Sequence, residues 1–118
     1  MQTIYVSGVT GYTAADQLTR VLDYGFFKDA SEAIAGTLGG HEVQYAYMLC
    51  PTDTDEESAE KPDTERNGYA SVCIYVDSVQ GSCVLVMLNS ATATLAEAPS
   101  QEALVAEAEA LLSHLTLP

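Results

Sequence analysis

The sequence predicts an α+β domain, in which a largely antiparallel sheet packs against helices. Two observations lead to this class. Alternating apolar segments, typical of strands, occur at the start and in the middle of the chain, and segments with three- and four-residue apolar spacing, typical of helices, lie between and after them. The resulting order is β-α-α-β-β-β-α. At 118 residues the chain is long enough for one such domain, residues 1–118.

The N-terminal part of the chain predicts one strand and two helices. Residues 2–9 alternate and are rich in β-forming side chains, so they indicate the first strand. Thr13 is expected to cap the first helix, whose apolar stripe is formed by Leu18, Val21, Leu22, Gly25 and Phe26. A second helix is expected to begin at Asp29, where Glu32 completes a capping-box pattern, and to end at the glycine pair 39–40.

The middle of the chain predicts three strands, two of them in a hairpin. Residues 42–50 place alternate side chains on two faces of a strand, and Pro51 ends it. Residues 69–78 and 82–90 flank a three-residue loop that suits a hairpin, with Ser78 opposite Ser82. This register brings apolar residues together on one face, in the pairs Val76/Val84, Ile74/Val86 and Val72/Leu88.

The other face of this hairpin is mixed, since Tyr75 faces Leu85 and Cys73 faces Met87. Such a hairpin is covered on both sides, either in the centre of a sheet or at a subunit interface. We therefore expect a homo-oligomer, and Tyr75, Leu85 and Met87 are the candidate interaction surface. The final helix is expected to follow Ser100, which is its cap.

The charge of the chain is strongly negative and unevenly distributed. Seventeen acidic residues face four basic ones, for a net charge of -13, and residues 53–65 hold seven of the acids. Because residues 52–68 also have almost no apolar content, they predict a flexible acidic loop. Four bases cannot supply the patch that nucleic acid or an anionic membrane surface requires, so we expect neither as a partner. A basic protein partner is the expectation instead.

Targeting and metal-binding signals are lacking in the sequence. The longest apolar run, Val84 to Leu88, is far shorter than the roughly 20 residues of a membrane span. Three cysteines without a C-x-x-C spacing favour reduced, packed thiols over disulfides or a zinc site. We expect a cytoplasmic protein with no metal and no cofactor, although export after removal of a leader stays open.

The stretch VSGVTGYTA, from Val6 to Ala14, suggests a ligand site. It resembles the T-G-x-x-G-x-x-G/A turn of short-chain dehydrogenases, with Ser7, Gly8, Gly11 and Ala14 in matching places. The resemblance implies a nucleotide at the N-terminus of the first helix, with Gly8, Thr10, Gly11 and Thr13 as candidate ligand residues. That family's fold, however, needs two βαβ halves, for which this chain is too short. A tight strand-to-helix turn ending in a Thr cap is the favoured interpretation.

These observations leave three hypotheses about function. The leading one is a small acidic, non-enzymatic protein-interaction domain, such as a regulator, an inhibitor, an antidote or a chaperone-like binder, because no catalytic constellation stands out. The alternative is a domain that binds a small molecule, a nucleotide or another anion at the Gly8–Thr13 turn, with or without catalysis. The third is a homo-oligomeric structural component.

Overall fold

The structure of the chain is a computed structural model that describes residues 2–9, 13–25, 27–38, 40–53, 56–79, 82–90 and 94–114. Six strands and three α-helices are present in these ranges. In chain order they are β1 (Gln2–Val9), α1 (Ala14–Tyr24), β2 (Asp29–Ala30), β3 (Ile34–Leu38), β4 (His41–Pro51), α2 (Glu56–Ala59), β5 (Gly68–Val79), β6 (Ser82–Ser90) and α3 (Gln101–His114), with a 3-10 turn at Leu95–Glu97 before α3.

The strands form a single antiparallel sheet in the order β1-β6-β5-β4-β2, and β3 also pairs with β4. The long strands β4 and β5 lie in the middle of the sheet. Each of them alternates between two apolar faces, because residues next to each other in a strand point to opposite sides. The fold is therefore α+β with an antiparallel sheet, as the sequence predicts.

Two separate cores cover the two faces of the sheet. On one face, apolar residues of β4, β5 and β6 pack against Leu104, Val105, Ala108 and Leu112 of α3. On the other face, Ala14 and Leu18 of α1 pack against residues that include Ala46, Cys73 and Cys83. Because β4 and β5 are covered on both sides, the domain has three layers, with helix, sheet and helix in turn.

The starts of α1 and α3 follow the sequence signals, whereas α1 ends at Tyr24, before Gly25 and Phe26 of its predicted apolar stripe. The hydroxyl of Thr13 accepts from the backbone N–H of Asp16 at 3.2 Å, and Gly25 ends α1 with φ 76°. At the start of α3, the hydroxyl of Ser100 accepts from the backbone N–H of Ala103 at 3.2 Å. Both caps satisfy N–H groups that a helix leaves without partners, so both helix starts are confirmed.

The predicted second helix is wrong. Residues 29–38 instead form β2 and β3, which pair with β4. Leu38 pairs with His41, and Gly40, with φ 85°, lies directly before β4, so the predicted helix end at the glycine pair is wrong. Gly39 lies outside the described residues. The Ser31 hydroxyl accepts from the backbone N–H of Tyr47 at 2.9 Å, which also ties this segment to β4. Pairing with a long apolar strand has overridden a local helix signal.

The β5–β6 hairpin has the predicted register over most of its length. Val76 pairs with Val84, and the pairs farther from the turn follow the predicted order. At the turn the expected pairing of Ser78 with Ser82 is wrong, since Val79 pairs with Ser82 and the register shifts between Val76 and Val79. An irregularity of the β-bulge type inserts extra length into one strand and leaves the rest of the ladder in register.

Within the described ranges, no helix is both long and apolar enough to cross a membrane.

Candidate functional site

The candidate site is the acidic segment, residues 52–67, which joins β4 to β5. Its two ends meet, because the backbone N–H of Thr52 donates to the carbonyl of Asn67 at 2.9 Å. Asn67 also forms an isolated β-bridge with Thr94. Between the ends lie the single turn of α2 and further turns, one closed by the N–H of Glu65 on the carbonyl of Pro62 at 2.9 Å. The segment is thus a closed loop with internal backbone hydrogen bonds.

Arg66 and Asp53 anchor this loop. Arg66 is only 9% exposed, and its Nε donates to Asp53 Oδ1 at 3.1 Å while its Nη2 donates to the Asp53 carbonyl at 3.2 Å. The second carboxylate oxygen of Asp53 accepts from the backbone N–H of Asn67 at 2.8 Å. Charge-assisted hydrogen bonds of this kind are stronger than neutral ones and fix geometry as well. One arginine and one aspartate therefore hold the start and the end of the segment together.

A second ion pair connects the segment to the body of the domain. Lys28, just before β2, pairs with Asp63, and both side chains are about two-fifths exposed, at 41% and 40%. The Asp63 carbonyl accepts from the backbone N–H of Ala96, in the 3-10 turn, at 3.2 Å. The exposed pair contributes little stability by itself, but the two contacts set the direction in which the segment leaves the sheet.

In the described part of the segment, four acidic side chains are exposed to solvent: Glu56, Glu57, Glu60 and Glu65. Two of the chain's four bases, Lys28 and Arg66, are engaged with aspartates at the base of the segment. Their charge is therefore matched by Asp63 and Asp53, and the exposed glutamates give the segment its outward field. A concentrated negative field of this kind attracts cationic ligands at long range and loses strength as salt increases.

The glycine turn that suggests a ligand site is described only at its two ends. Gly8 lies within β1 and pairs with Val84, and Thr13 caps α1. Thr10 and Gly11 lie outside the described residues. A strand before the turn and a capped helix after it are confirmed, whereas ligand binding there stays a prediction.

The three residues of the predicted interaction surface lie on the face of the sheet that α1 covers. Tyr75 is 5% exposed and belongs to the same cluster as Leu18 of α1. Leu85 and Met87 are half-buried and pack against that cluster. At Tyr75 this face of the hairpin is therefore covered by α1 of the same chain, while α3 covers the opposite face. A contact with a second copy stays a prediction.

The cysteines lie on this same face. Cys73 and Cys83 are each 2% exposed, and burial raises the pKa of the Cys73 thiol from 9.0 to about 11. Burial also raises the pKa of Cys50, against a smaller opposing effect of its hydrogen bond with Tyr69. Raised pKa values keep thiols protonated and poorly nucleophilic.

Among the described residues, no group of three or more histidine, cysteine or acidic side chains is placed to hold a metal ion.

Comparison with known proteins finds no matching family model, no matching curated protein and no matching solved structure. The charge and geometry of this chain are therefore the basis for its proposed function.

The sequence predicts the acidic segment but not its anchor. Asp53 and Arg66 are 13 residues apart in a stretch without helical or strand periodicity, so no spacing rule connects them.

Proposed function

We propose that this chain is a non-enzymatic interaction domain that binds a basic protein partner through its acidic segment. The observation that carries the proposal is the anchored loop, in which Arg66 and Asp53 fix the ends and leave four glutamates exposed. A basic segment of a partner, rich in lysine or arginine, is the complementary surface. A regulator, an inhibitor, an antidote or a chaperone-like binder would use such a surface.

The loop geometry supports this proposal beyond net charge. A partner that binds a flexible tail must order the tail, which costs conformational entropy, whereas a closed loop has lost part of that entropy on folding. Charges held on a folded surface also have a fixed spacing, so they favour one arrangement of cations over others. We therefore expect the acidic segment to contribute specificity as well as a fast, salt-dependent association.

The thiols support a proposal about the compartment in which this binding takes place. The three cysteines are free, which supports a cytoplasmic location for the interaction. The chain's own oligomeric state is a separate proposal, tested by sedimentation at high protein concentration. A monomer there would remove the homo-oligomer and leave the acidic segment's role untouched.

The experiment is a tagged pull-down from the lysate of the source organism at low and at moderate salt, with bound proteins identified by mass spectrometry. The bait is the whole chain in three forms. One is unchanged, the second carries glutamine at Glu56, Glu57, Glu60 and Glu65, and the third carries glutamine at Glu32, Glu42, Glu102 and Glu109. Each variant removes four negative charges, so both change the net charge equally. Because the eight glutamates are all exposed, both variants spare the core.

The proposal predicts a stoichiometric basic protein that elutes with salt, is lost with the segment variant and is kept by the matched variant. Equal loss with both variants would assign the capture to net charge and contradict a role for the segment. The absence of any partner at low salt would contradict the proposed function itself.

A further inference from the structure

A pocket of about 760 Å³ lies between α1 and the adjoining ends of β4 and β5. One wall is a single face of α1, formed by Gln17, Arg20, Val21 and Tyr24 at helical three- and four-residue steps. The volume is in the range of roughly 300–1,000 Å³ that is typical of small-molecule sites. The pocket lies along α1 toward its C-terminal half. Its described lining includes neither Gly8 nor Thr13, and it shares Thr52 with the acidic segment but none of the exposed glutamates.

The opposite wall comes from the sheet. Met48 is buried and Cys50 half-buried in β4, and Tyr69 of β5 pairs with Cys50 across the ladder. Phe27, after the end of α1, and Tyr24, which is 74% exposed, add aromatic surface. Ligand pockets are commonly lined by apolar and aromatic side chains of this kind. The pocket therefore offers flat apolar contacts to an aromatic ring.

The described lining of the pocket holds one cationic side chain. Among the described residues that line it, Arg20 is the sole charged one and none is acidic, although the chain has seventeen acids. Arg20 has an interaction of its own within the chain, but a guanidinium carries five N–H donors, enough for a further partner. Its planar fork matches a carboxylate with two parallel hydrogen bonds. Gln17, one helical turn away, adds a side-chain amide.

We propose that this pocket binds a small aromatic carboxylic acid. The aromatic ring of the bound acid lies against Val21, Phe27 and Met48, and the carboxylate of the acid pairs with Arg20. This site is independent of the proposed protein partner, and the two should differ in their response to salt. The net charge of -13 repels an anion over long distances, and salt screens that repulsion more than it screens a pair in close contact. Binding of the acid should hold or tighten as salt rises, whereas the basic partner should dissociate.

The probe for this site is 2-naphthoate, with neutral 2-naphthamide as the isostere that lacks the charge. Calorimetric titration of the whole chain should show saturable binding of one naphthoate. Arg20→Gln should weaken naphthoate about tenfold and leave naphthamide unchanged, since a charge-assisted hydrogen bond is lost. Lys61→Gln, which alters net charge equally at an exposed residue outside the pocket lining, should leave both affinities unchanged.

A second readout places the ligand in the pocket. Because Cys73 and Cys83 are buried, alkylation of the native chain should report Cys50, and saturating naphthoate should slow it several-fold. Thr52→Trp, at an exposed lining residue, should fill the mouth of the pocket and abolish the protection. The inference is overturned by the absence of naphthoate binding at millimolar concentration, by equal effects of Arg20→Gln and Lys61→Gln, or by binding that leaves Cys50 alkylation unchanged.

Discussion

Arg66 and Asp53 form a nearly buried ion pair that closes the acidic segment at its base. Nη2 of Arg66 and Oδ1 of Asp53 lie 3.1 Å apart, and the two side chains are 10% and 12% exposed. The pair is bridged to the backbone as well, through the Asp53 carbonyl and the N–H of Asn67. A surface with a net negative charge thus depends on one of the few cations of the chain for its shape.

Removing the Asp53 carboxylate should destabilise the domain. Asp53→Asn leaves the Arg66 guanidinium buried without a matching charge, so the free energy of unfolding should fall by roughly 2–3 kcal/mol. Asp63→Asn breaks the exposed pair with Lys28 and should cost less than about 1 kcal/mol. Urea unfolding of the two variants measures the difference. Equal losses of unfolding free energy in the two variants would contradict the expectation that the Arg66–Asp53 pair stabilises the domain more than the exposed Lys28–Asp63 pair does.

A methyl group at Gly68 should not fit, whereas one at Gly36 should. A Cβ built on Gly68 would lie 2.6 Å from the carbonyl oxygen of Cys50 and would also clash with Leu95. At Gly36 the nearest atom, Cε1 of Tyr45, would lie at an ordinary 3.7 Å. Gly68→Ala should therefore lower the free energy of unfolding by roughly 2–3 kcal/mol. Gly36→Ala should leave it unchanged or raise it slightly, and a similar loss in both thermal melts would contradict the packing described here.

Two buried hydroxyls should respond in opposite ways to removal. The Tyr47 hydroxyl donates to the Pro99 carbonyl at 2.8 Å, which ties β4 to the start of α3, so Tyr47→Phe should cost about 1 kcal/mol. Ser71 Oγ is buried and has no hydrogen-bond partner in the described structure. Ser71→Ala should therefore raise the free energy of unfolding by about 1 kcal/mol. Chemical denaturation of both variants checks the pair, and a destabilised Ser71→Ala would reveal a contact of that hydroxyl.

The buried Cys73 thiol should make the domain less stable at alkaline pH. Burial raises its pKa in the folded chain from 9.0 to about 11, whereas the unfolded chain keeps the ordinary value. Between these two pH values the unfolded chain binds fewer protons, so stability falls as pH rises, and below the lower one the thiol has no effect. A shift of this size corresponds to about 2–3 kcal/mol.

Urea unfolding as a function of pH, for the unchanged chain and for Cys73→Ala, isolates this contribution. The variant will be less stable at neutral pH because it leaves a small cavity, but its stability should decline less through the alkaline range. Parallel declines in the two proteins would contradict the burial of Cys73 as the cause.

The long strands and the helix caps could be predicted because their signals are local or strictly periodic. The β5–β6 register follows from apolar side chains that meet when Val76 is placed opposite Val84, and Thr13 and Ser100 cap helices through bonds to residues three positions on. Residues 29–38 were mispredicted because their capping-box pattern is also local, while the pairing with β4 that decides their structure is not. Tertiary pairing commonly overrides such weak propensities.

Neither the anchor of the acidic segment nor the pocket beside α1 could be found from the sequence. Arg66 and Asp53 meet because the ends of a loop meet, and that closure depends on the pairing of Pro51 with Gly68. Arg20 reads in the sequence as an ordinary exposed helix residue. Only the packing of α1 against β4 places Arg20 in the pocket, where it is the one charged residue among the described residues of the lining. Both features are products of the packing of distant elements.

We propose that the acidic segment, and not net charge alone, recognises a basic partner. The most direct test is a fluorescence anisotropy titration of a labelled oligolysine peptide with the unchanged chain, the Glu56/Glu57/Glu60/Glu65→Gln variant and the matched Glu32/Glu42/Glu102/Glu109→Gln variant. We expect salt-sensitive binding of the peptide to the unchanged chain. The segment variant should lose this binding, and the matched variant should largely keep it. Equal affinities for the two variants would show that the peptide responds to total charge, and would contradict the claim.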